Sequence, residues 1–338
     1  MPKPLTISLF LSIALAGLPC ISLNAQSPGS NPNSGQNSGF KFKFRLSSWP
    51  PSPDHPQIPI WPGTPPDAQP VAGPEVTWTT GPNELIAGRP IIGVGQVSRP
   101  TMTVYAPTGK NTGVAVVVFP GGGYEMLAID LEGTEVCDWL TSRGITAVLL
   151  KYRVPGDGLR PKSGPYPKSP MALEDAQRTL GLVRFHAAEW HIDPHKIGVL
   201  GSSAGGHLVA AMSTHFSHRL YPAVDAADQE SCRPDFGVAL YPGHLSLADN
   251  SIALNPDIDS HITRDTPPTF LLQDEDDHVD RVEDSLSYYA ALKRVGVPVE
   301  MHLYAQGGHA FGLRRTKFPV TAWPQLVETW LETIGMTK

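Results

Sequence analysis

Residues 197–212, which read IGVLGSSAGGHLVAAM, decide the fold of this chain of 338 residues. An apolar stretch typical of a buried strand leads into Gly201, Ser203 and Gly205 at Gly-x-Ser-x-Gly spacing, and a helix-like stretch follows. Such a turn forces backbone shapes in which a Cβ atom clashes, so glycine is favoured on both sides of the serine. Backbone N–H groups at the helix N-terminus can stabilise negative charge there. The pattern predicts that Ser203 is a nucleophile; the alternative is a glycine-rich turn without chemistry.

A serine nucleophile needs a base, and position distinguishes His309 from the other histidines, of which the chain has 12 in all. It lies in the loop QGGHAFG, residues 306–312, directly after a strand predicted at 299–304. From a glycine-flanked loop after a late strand, a histidine can reach across the sheet edge to Ser203. His207, in the first turn after the nucleophile, is interpreted as a residue that packs beneath that turn.

The imidazole in turn needs a carboxylate, which fixes its tautomer and stabilises the imidazolium. A buried strand predicted at 269–273 is followed by four acidic residues, Asp274, Glu275, Asp276 and Asp277. Their place between the predicted nucleophile and base fits the chain order of α/β-hydrolases, but spacing alone does not choose among them. One short acidic loop rarely supplies the full coordination shell of a cation. The sequence therefore predicts neither a metal nor another cofactor.

A triple glycine, Gly121–Gly123, follows the most apolar stretch of the chain, residues 114–119, after a single proline. Glycines let the backbone come close to a substrate and aim N–H groups at it. Gly122 and Gly123, together with Ala204 just after the nucleophile, are predicted to form an oxyanion hole. Tyr124 comes next and is a candidate substrate-binding residue, whose ring either stacks on a sugar or packs on the loop.

Strand-like and helix-like stretches alternate along most of the chain. Strands are predicted at 101–106, 114–119, 145–151, 197–200, 236–241, 269–273 and 299–304, and helices at 172–190, 207–212, 283–295 and 323–334. This alternation predicts an α/β fold of the α/β-hydrolase type, with a mostly parallel central sheet and helices on both faces. Functional residues then lie at the carboxyl ends of strands. The longest loops, 154–170 and 243–268, do not resemble a large lid domain and are expected to border an open cleft.

Six short motifs carry a family resemblance. They are PGGGY at 120–124, LKYR at 150–153, DAQR at 175–178, GSSAGGHL at 201–208, PPTFL at 267–271 and GGHAFG at 307–312. From about residue 58 to the C-terminus the chain resembles secreted bacterial α/β-hydrolase esterases, the acetylxylan esterase-like and feruloyl-esterase-like carbohydrate esterases. The resemblance implies a serine carboxylesterase that removes acetyl or similar short acyl groups from polysaccharides such as acetylated xylan. Alternatives on the same fold are a feruloyl esterase, a general short-chain esterase or lipase, and a peptidase.

The resemblance also bears on the acid and on the oxyanion loop. The usual pattern of these esterases has an aspartate three residues before a valine-proline pair, which implies that Asp277 is the acid. Asp280 and Arg281 stand where that pair is common, so the match is imperfect and Asp276 stays an alternative. Pro120 stands where related lipases carry a histidine; that histidine is not an oxyanion donor, so activity is still expected.

The N-terminal region is typical of an exported protein. Residues 1–25 contain a short apolar run and a cleavage site at Ala25, and they are predicted to be a signal peptide. Residues 26–57, rich in Pro, Ser, Asn and Gly, are predicted to be flexible, and residues 58–338 to form the catalytic domain. We therefore expect a secreted or periplasmic enzyme without a membrane span, acting on an acylated polysaccharide or oligosaccharide. A net charge of −6 gives no sign of nucleic-acid binding.

Two of the three cysteines, Cys137 and Cys232, remain after the expected cleavage. A single disulfide is possible in an oxidising compartment. Buried free thiols are the favoured interpretation, because a domain of this size does not need a covalent crosslink.

Overall fold

The computed structural model describes residues 42–45, 49, 52–70, 73–154, 170–247 and 251–338. The predicted signal peptide, residues 1–25, lies outside the described residues, as do much of the segment 26–57 and most of the predicted loop 154–170. Within the segment 26–57, which was predicted to be flexible, residues 42–45 form a strand.

The described residues contain twelve strands, numbered along the chain: β1 (Phe42–Arg45), β2 (Ile58–Pro59), β3 (Val76–Thr80), β4 (Ile92–Gly95), β5 (Thr101–Tyr105), β6 (Ala115–Phe119), β7 (Met126–Ala128), β8 (Thr146–Lys151), β9 (Ile197–Ser202), β10 (Gly237–Leu240), β11 (Thr269–Asp274) and β12 (Val299–Tyr304). The α-helices of the same residues are α1 (Glu135–Ser142), α2 (Met171–Phe185), α3 (Ala204–Thr214), α4 (Pro256–Asp259), α5 (Val282–Val295) and α6 (Trp323–Thr333). A π-helical turn, Asp130–Thr134, leads directly into α1, and short 3₁₀ turns occupy Ala226–Gln229 and Pro319–Ala322.

Eight of these strands of the described residues form the central sheet, in the order β12-β11-β10-β9-β6-β8-β5-β2. The strands from β12 to β8 are parallel, whereas β5 and β2 at one edge are antiparallel. The chain crosses the sheet in one direction from β6 to β8 and in the opposite direction from β8 to β9. Right-handed crossovers therefore place α1 and α2 on opposite faces. The prediction of a mostly parallel sheet with helices on both faces is confirmed.

The parallel strands carry the core, because helices cover them on both faces. Every residue of β6, β8, β9, β10 and β11 is buried. On one face Trp139 of α1 packs edge-on against Trp323 of α6, with ring centroids 5.1 Å apart. Cys137 and Cys232 are both buried free thiols, as expected. Among the described residues, no helix has the length and apolar character needed to cross a membrane.

A second sheet of four antiparallel strands, β1-β3-β4-β7, was not predicted from the sequence. Strand β4 contains Gly93 and Gly95, and glycine weakens a strand, so the local pattern does not indicate one. The structure shows why glycine stands there. A Cβ atom at Gly93 would lie 2.5 Å from the indole of Trp78 on the neighbouring strand β3, and one at Gly95 would lie 2.9 Å from it. The indole occupies the space above β4 that side chains would otherwise fill.

Candidate active site

Ser203 lies between β9 and α3, in the sharp turn that the sequence predicts. Its backbone has a φ of 54° and a ψ of −120°, a conformation that L-residues rarely adopt and that stores strain. The turn leaves no room for side chains beside it. A Cβ atom at Gly205 would lie 2.0 Å from the carbonyl oxygen of Phe119, and one at Gly201 would lie 2.2 Å from that of Gly205. The serine is thereby held at the carboxyl end of the sheet, with 8% of its surface exposed.

The structure brings His309 and Asp277 into direct contact. Nδ1 of the imidazole lies 2.7 Å from Oδ2 of Asp277, so the Nδ1 proton is donated to the carboxylate and Nε2 is left as the basic nitrogen of the neutral ring. Burial by itself lowers the pKa of His309, but the hydrogen bond with Asp277 and the charge of Asp280 outweigh it and raise the pKa above its usual value. Asp277 is itself buried and fixed, since its Oδ1 accepts the N–H groups of Val279 at 2.8 Å and Asp280 at 3.0 Å.

The other three acidic residues of this loop have different surroundings. Asp276 accepts two successive backbone N–H groups of the histidine loop on Oδ1, at 2.9 and 2.8 Å, so it fixes the loop rather than the imidazole. Asp274 is fully buried at the end of β11, and burial together with two neighbouring carboxylates raises its pKa to about 7. Glu275 is exposed. Of the four candidates for the acid, Asp277 is the one that the structure places against His309.

A further carboxylate, that of Asp280, also reaches the site and was not predicted. Oγ of Ser203 donates a hydrogen bond to Oδ2 of Asp280 at 2.9 Å, and the same oxygen lies 3.7 Å from Nε2 of His309. The side chain is 4% exposed. Burial raises the pKa of Asp280 to about 6, although His309 and the Ser203 hydroxyl act in the opposite direction. The sequence could have indicated Asp280 as a site residue through its position three residues after Asp277, in the same turn.

Glu132 is a second buried acid that sequence reasoning missed, and it fixes the loop after β6. Its Oε2 accepts the N–H of Gly121 at 2.8 Å, and its Oε1 accepts the hydroxyl of Tyr241 at 2.9 Å. The ring of Tyr241 contacts His309 edge-on, with centroids 5.0 Å apart. Burial raises the pKa of Glu132, partly against the charge of His309. Tyr241 lies 109 positions from Glu132, a separation that no local pattern reveals.

The predicted oxyanion loop lies directly against Ser203, the predicted nucleophile. A Cβ atom at Gly121 would lie 2.6 Å from the carbonyl oxygen of Ser202 and 3.0 Å from the Cβ of Ser203, so the loop has no space for a side chain there. Gly122 has a φ of 130°, which favours glycine, and its carbonyl accepts the N–H of Met126 at 3.1 Å to close a tight turn. The triple glycine is thus required by the shape of this loop. The roles of Gly122, Gly123 and Ala204 as oxyanion donors stay predictions.

Tyr124 is buried beneath the loop, which does not support its selection as a substrate-binding candidate. It is 1% exposed, its hydroxyl lies 3.0 Å from Nδ1 of His207, and its ring contacts that of Tyr152. Of the two alternatives for this ring, packing on the loop is the one that the structure shows. His207 is buried beneath the nucleophile turn, as expected, and burial lowers its pKa to about 3.

Two of the sequence motifs form a buried support for the oxyanion loop. The hydroxyl of Tyr152 donates to the carbonyl of Pro120 at 2.6 Å. The next residue, Arg153, donates from its backbone and from Nε to Asp175 at 2.9 and 3.0 Å, and Trp61 donates to the same carboxylate at 2.8 Å. Residues 150–153 and 175–178 therefore fix the strand and the helix next to the site without entering it.

Comparison with protein families agrees with this architecture. A family described as alpha/beta hydrolase fold matches residues 116–313, which is more than half of the chain. The matched segment begins within β6 and ends after the histidine loop, so it includes the oxyanion loop, Ser203, Asp277 and His309.

Similar proteins act on xylan or on esters. The chain is 31% identical to the acetylxylan esterase of Xylanibacter ruminicola, covering 62% of this chain and 43% of that protein. It is 30% identical to endo-1,4-beta-xylanase B of Butyrivibrio fibrisolvens, covering 60% of this chain and 33% of that protein. The chain thus spans less than half the length of these two relatives. The crystal structure of an acetyl ester-xyloside bifunctional hydrolase from Caldicellulosiruptor lactoaceticus is similar with 34% identity and a TM-score of 0.64, covering 83% of this chain and 97% of that one.

Proposed function

The chain belongs to the alpha/beta hydrolase fold family, and we propose that it is a serine carboxylesterase that removes acetyl or similar short acyl groups from xylan-type polysaccharides. That it is a carbohydrate esterase is supported by its relatives, which include an acetylxylan esterase and an acetyl ester-xyloside hydrolase. The observation that carries the mechanism is the strained turn at Ser203 with the Asp277–His309 pair beside it.

In the proposed reaction, Oγ of Ser203 attacks the ester carbonyl carbon and its proton passes to Nε2 of His309. Asp277 retains the Nδ1 proton of the ring in its hydrogen bond and stabilises the imidazolium. The N–H groups of Ala204 and of Gly122 or Gly123 stabilise the oxyanion. The imidazolium then protonates the leaving alcohol, which leaves an acyl-enzyme, and a water molecule repeats the sequence to release the acid.

Replacement of the nucleophile tests this proposal. Ser203→Ala should lower kcat on p-nitrophenyl acetate by several orders of magnitude while circular dichroism stays unchanged. Ser213→Ala is the matched control, because Ser213 is also a buried serine but lies near the C-terminal end of α3, whereas Ser203 precedes its N-terminus. Near-wild-type activity of Ser203→Ala would show that the nucleophile is another residue.

A substrate series tests the acyl group and the polymer. We expect acetate release from acetylated xylan and a steep fall in kcat/KM from acetyl to octanoyl esters of p-nitrophenol. Equal or faster turnover of octanoyl esters, with no acetate released from the polymer, would favour a lipase-like enzyme. Release of ferulate from feruloylated arabinoxylan, without release of acetate, would favour the feruloyl esterase alternative.

Residues 1–25 are proposed to be a signal peptide, which places the enzyme in the periplasm or outside the cell, where polysaccharides are met. N-terminal sequencing of the exported protein should begin close to Gln26. An intact N-terminus in the cell interior would contradict this localisation.

A further inference from the structure

The hydroxyl of Ser203 donates its hydrogen bond to a carboxylate, at 2.9 Å from Oδ2 of Asp280. A hydroxyl has one proton to donate, so in this arrangement that proton is directed to Asp280 and away from Nε2 of His309. The same carboxylate oxygen lies 3.7 Å from Nε2. Asp277 contacts the opposite side of the ring, at Nδ1. The imidazole therefore lies between two carboxylates, one on each nitrogen.

We propose that Asp280 is a second catalytic carboxylate, which holds the Ser203 hydroxyl in the resting enzyme and, with Asp277, stabilises the imidazolium of His309 during catalysis. The inference rests on the proposed serine mechanism and deepens it. It assigns a role to the position that departs from the valine-proline pair common in similar esterases.

The local structure holds Asp280 in place. Its backbone N–H donates to Oδ1 of Asp277 at 3.0 Å, and its carbonyl accepts Nε2 of Gln273 at 2.9 Å. Gly243 leaves the space that the carboxylate needs, because a Cβ atom there would lie 2.2 Å from Oδ1 of Asp280. The backbone N–H of Gly243 donates to the carbonyl of Ser203 at 3.4 Å. The carboxylate is thus seated among residues that also fix the nucleophile and the acid.

The surrounding charges define what the carboxylate can do. His309, the Ser203 hydroxyl, Asp277 and Asp284 are the groups that act on Asp280; the two aspartates and burial oppose its ionisation, and His309 and Ser203 favour it. His309 in turn is acted on by Asp277, Asp280 and Glu132, all of which favour its protonated form. An opposite charge within about 4–6 Å of an ionisable group shifts its pKa by roughly one to three units.

The step in which Asp280 acts is the first proton transfer. The hydroxyl of Ser203 turns from Oδ2 of Asp280 to Nε2 of His309, the Oγ–carbonyl bond forms, and the proton passes to Nε2 as the carbonyl π bond becomes the oxyanion. The new N–H⁺ then faces the Asp280 carboxylate at short range. The ester C–O bond breaks as the proton passes on to the leaving alcohol. Asp280 accepts the hydrogen bond of Ser203 again only after deacylation has restored the hydroxyl. Asp280 keeps its charge throughout.

Asp280→Asn tests this role, because the amide has the same shape and no charge. In the pH profile of kcat/KM on p-nitrophenyl acetate, the midpoint of the acidic limb should fall by one to two units, and the plateau should fall about threefold to tenfold because the imidazole is a weaker base. Asp284→Asn is the matched control: it removes a buried carboxylate of the same segment, whose contacts are with Ser246 and the backbone of Arg281. Its midpoint should not fall, because Asp284 opposes the ionisation of Asp280 and its removal leaves the Asp280 charge in place.

Several outcomes would overturn the proposal. A lower plateau with an unchanged midpoint would indicate a structural role, and an unchanged profile would indicate none. A loss of activity equal to that of Ser203→Ala in a folded protein would make Asp280 the essential acid or base in place of His309. If Asp280→Asn does not fold, Asp280→Ser carries the same expectation.

A titration of His309 by ¹⁵N NMR in Ser203→Ala keeps the test independent of turnover. The pKa of His309 should fall when Asp280→Asn is added to that background, and an unchanged pKa would refute the proposal. Failure of the serine mechanism would appear separately, as activity that survives in Ser203→Ala.

Discussion

The choice between Asp277 and Asp276 as the acid is open to a sharp test, because the two neighbours can be changed by the same substitution. Asp277→Asn and Asp276→Asn each replace one carboxylate oxygen by an amide nitrogen at constant shape. The structure predicts very different results, since Asp277 contacts the imidazole and Asp276 contacts the backbone of Gly307 and Gly308.

The contacts of Asp277 determine how an asparagine would sit there. Oδ1 accepts the backbone N–H groups of Val279 and Asp280, so the amide oxygen takes that position and the NH₂ group faces Nδ1 of His309. A donor at that place forces the imidazole proton onto Nε2. A protonated Nε2 can no longer accept the serine proton. The wrong tautomer costs on the order of 10⁴ in kcat, or about 5 kcal/mol of transition-state stabilisation.

Asp276→Asn keeps its function as an acceptor. Both N–H groups of the histidine loop bind Oδ1, so an amide oxygen can replace it, and only the charge that strengthens these two bonds is lost. The difference between charged and neutral hydrogen bonds is about 1 kcal/mol per bond, or about 2 kcal/mol for the pair, which predicts at most about a thirtyfold loss in kcat and a small fall in Tm. Initial rates on p-nitrophenyl acetate at pH 8, with thermal unfolding followed by circular dichroism, measure both. A collapse of kcat in Asp276→Asn, with Asp277→Asn close to wild type, would refute the assignment.

Three further predictions concern the base, a metal and the nucleophile turn. The imidazole must be neutral to accept the serine proton and the surroundings of His309 raise its pKa, so kcat/KM should rise with pH through a midpoint above 6.5; a midpoint well below 6 would contradict those surroundings. Activity should persist after extended dialysis against EDTA. The described residues that could hold a metal ion are His215, Asp257 and His261, and they lie at the far end of α3, about 18 Å along the helix from Ser203. A loss of activity that zinc restores would assign the hydrolysis to a metal. Gly205→Ala places a methyl group 2.0 Å from the Phe119 carbonyl, so it should lower the free energy of unfolding by about 1–3 kcal/mol and lower kcat as well. Gly63→Ala, with open space around it, should change neither. A Tm of Gly205→Ala equal to that of the wild type would show that the turn can relax.

The nucleophile turn was predictable because its physics is local. The strand, the glycines and the helix around Ser203 all lie within residues 197–212, so the pattern that indicates the turn can be read from one short stretch. The tight turn at Gly122 is local as well, because its space is limited by Met126, four residues further along. The parallel strands were also predictable, since burial on both faces gives continuous apolar runs.

The distribution of roles in the acidic loop could not be predicted from spacing. Asp276 accepts hydrogen bonds from the backbone of Gly307 and Gly308, whereas Asp277 is bonded to His309. These partners lie about thirty residues further along the chain. The residues that choose between them are therefore brought together by the pairing of β11 with β12 and not by the loop itself. Family resemblance selected Asp277, but no residue pattern within the loop did so.

Asp280 and Glu132 escaped prediction for a related reason. A buried carboxylate is costly unless it is paired or hydrogen-bonded, so an acid in an ordinary-looking turn is more often exposed. The partners that permit burial here are Ser203 for Asp280 and Gly121 with Tyr241 for Glu132, and all of them lie on other strands or loops. The four-stranded sheet was missed for the same reason. Its strand β4 contains glycines because the indole of Trp78, on the neighbouring strand β3, occupies the space of their side chains.

The excess of carboxylates around one imidazole has a chemical consequence. Asp277, Asp280 and Glu132 all raise the pKa of His309, so they strengthen it as a base towards the Ser203 hydroxyl. A stronger base returns its proton less readily, but this matters little for a sugar ester, because a sugar alkoxide is far more basic than any imidazole. The cost falls on the lower end of the pH range, where His309 is already protonated and cannot act. In the proposed serine mechanism, the arrangement therefore gives up activity in acid and gains a stronger base for the attack by Ser203.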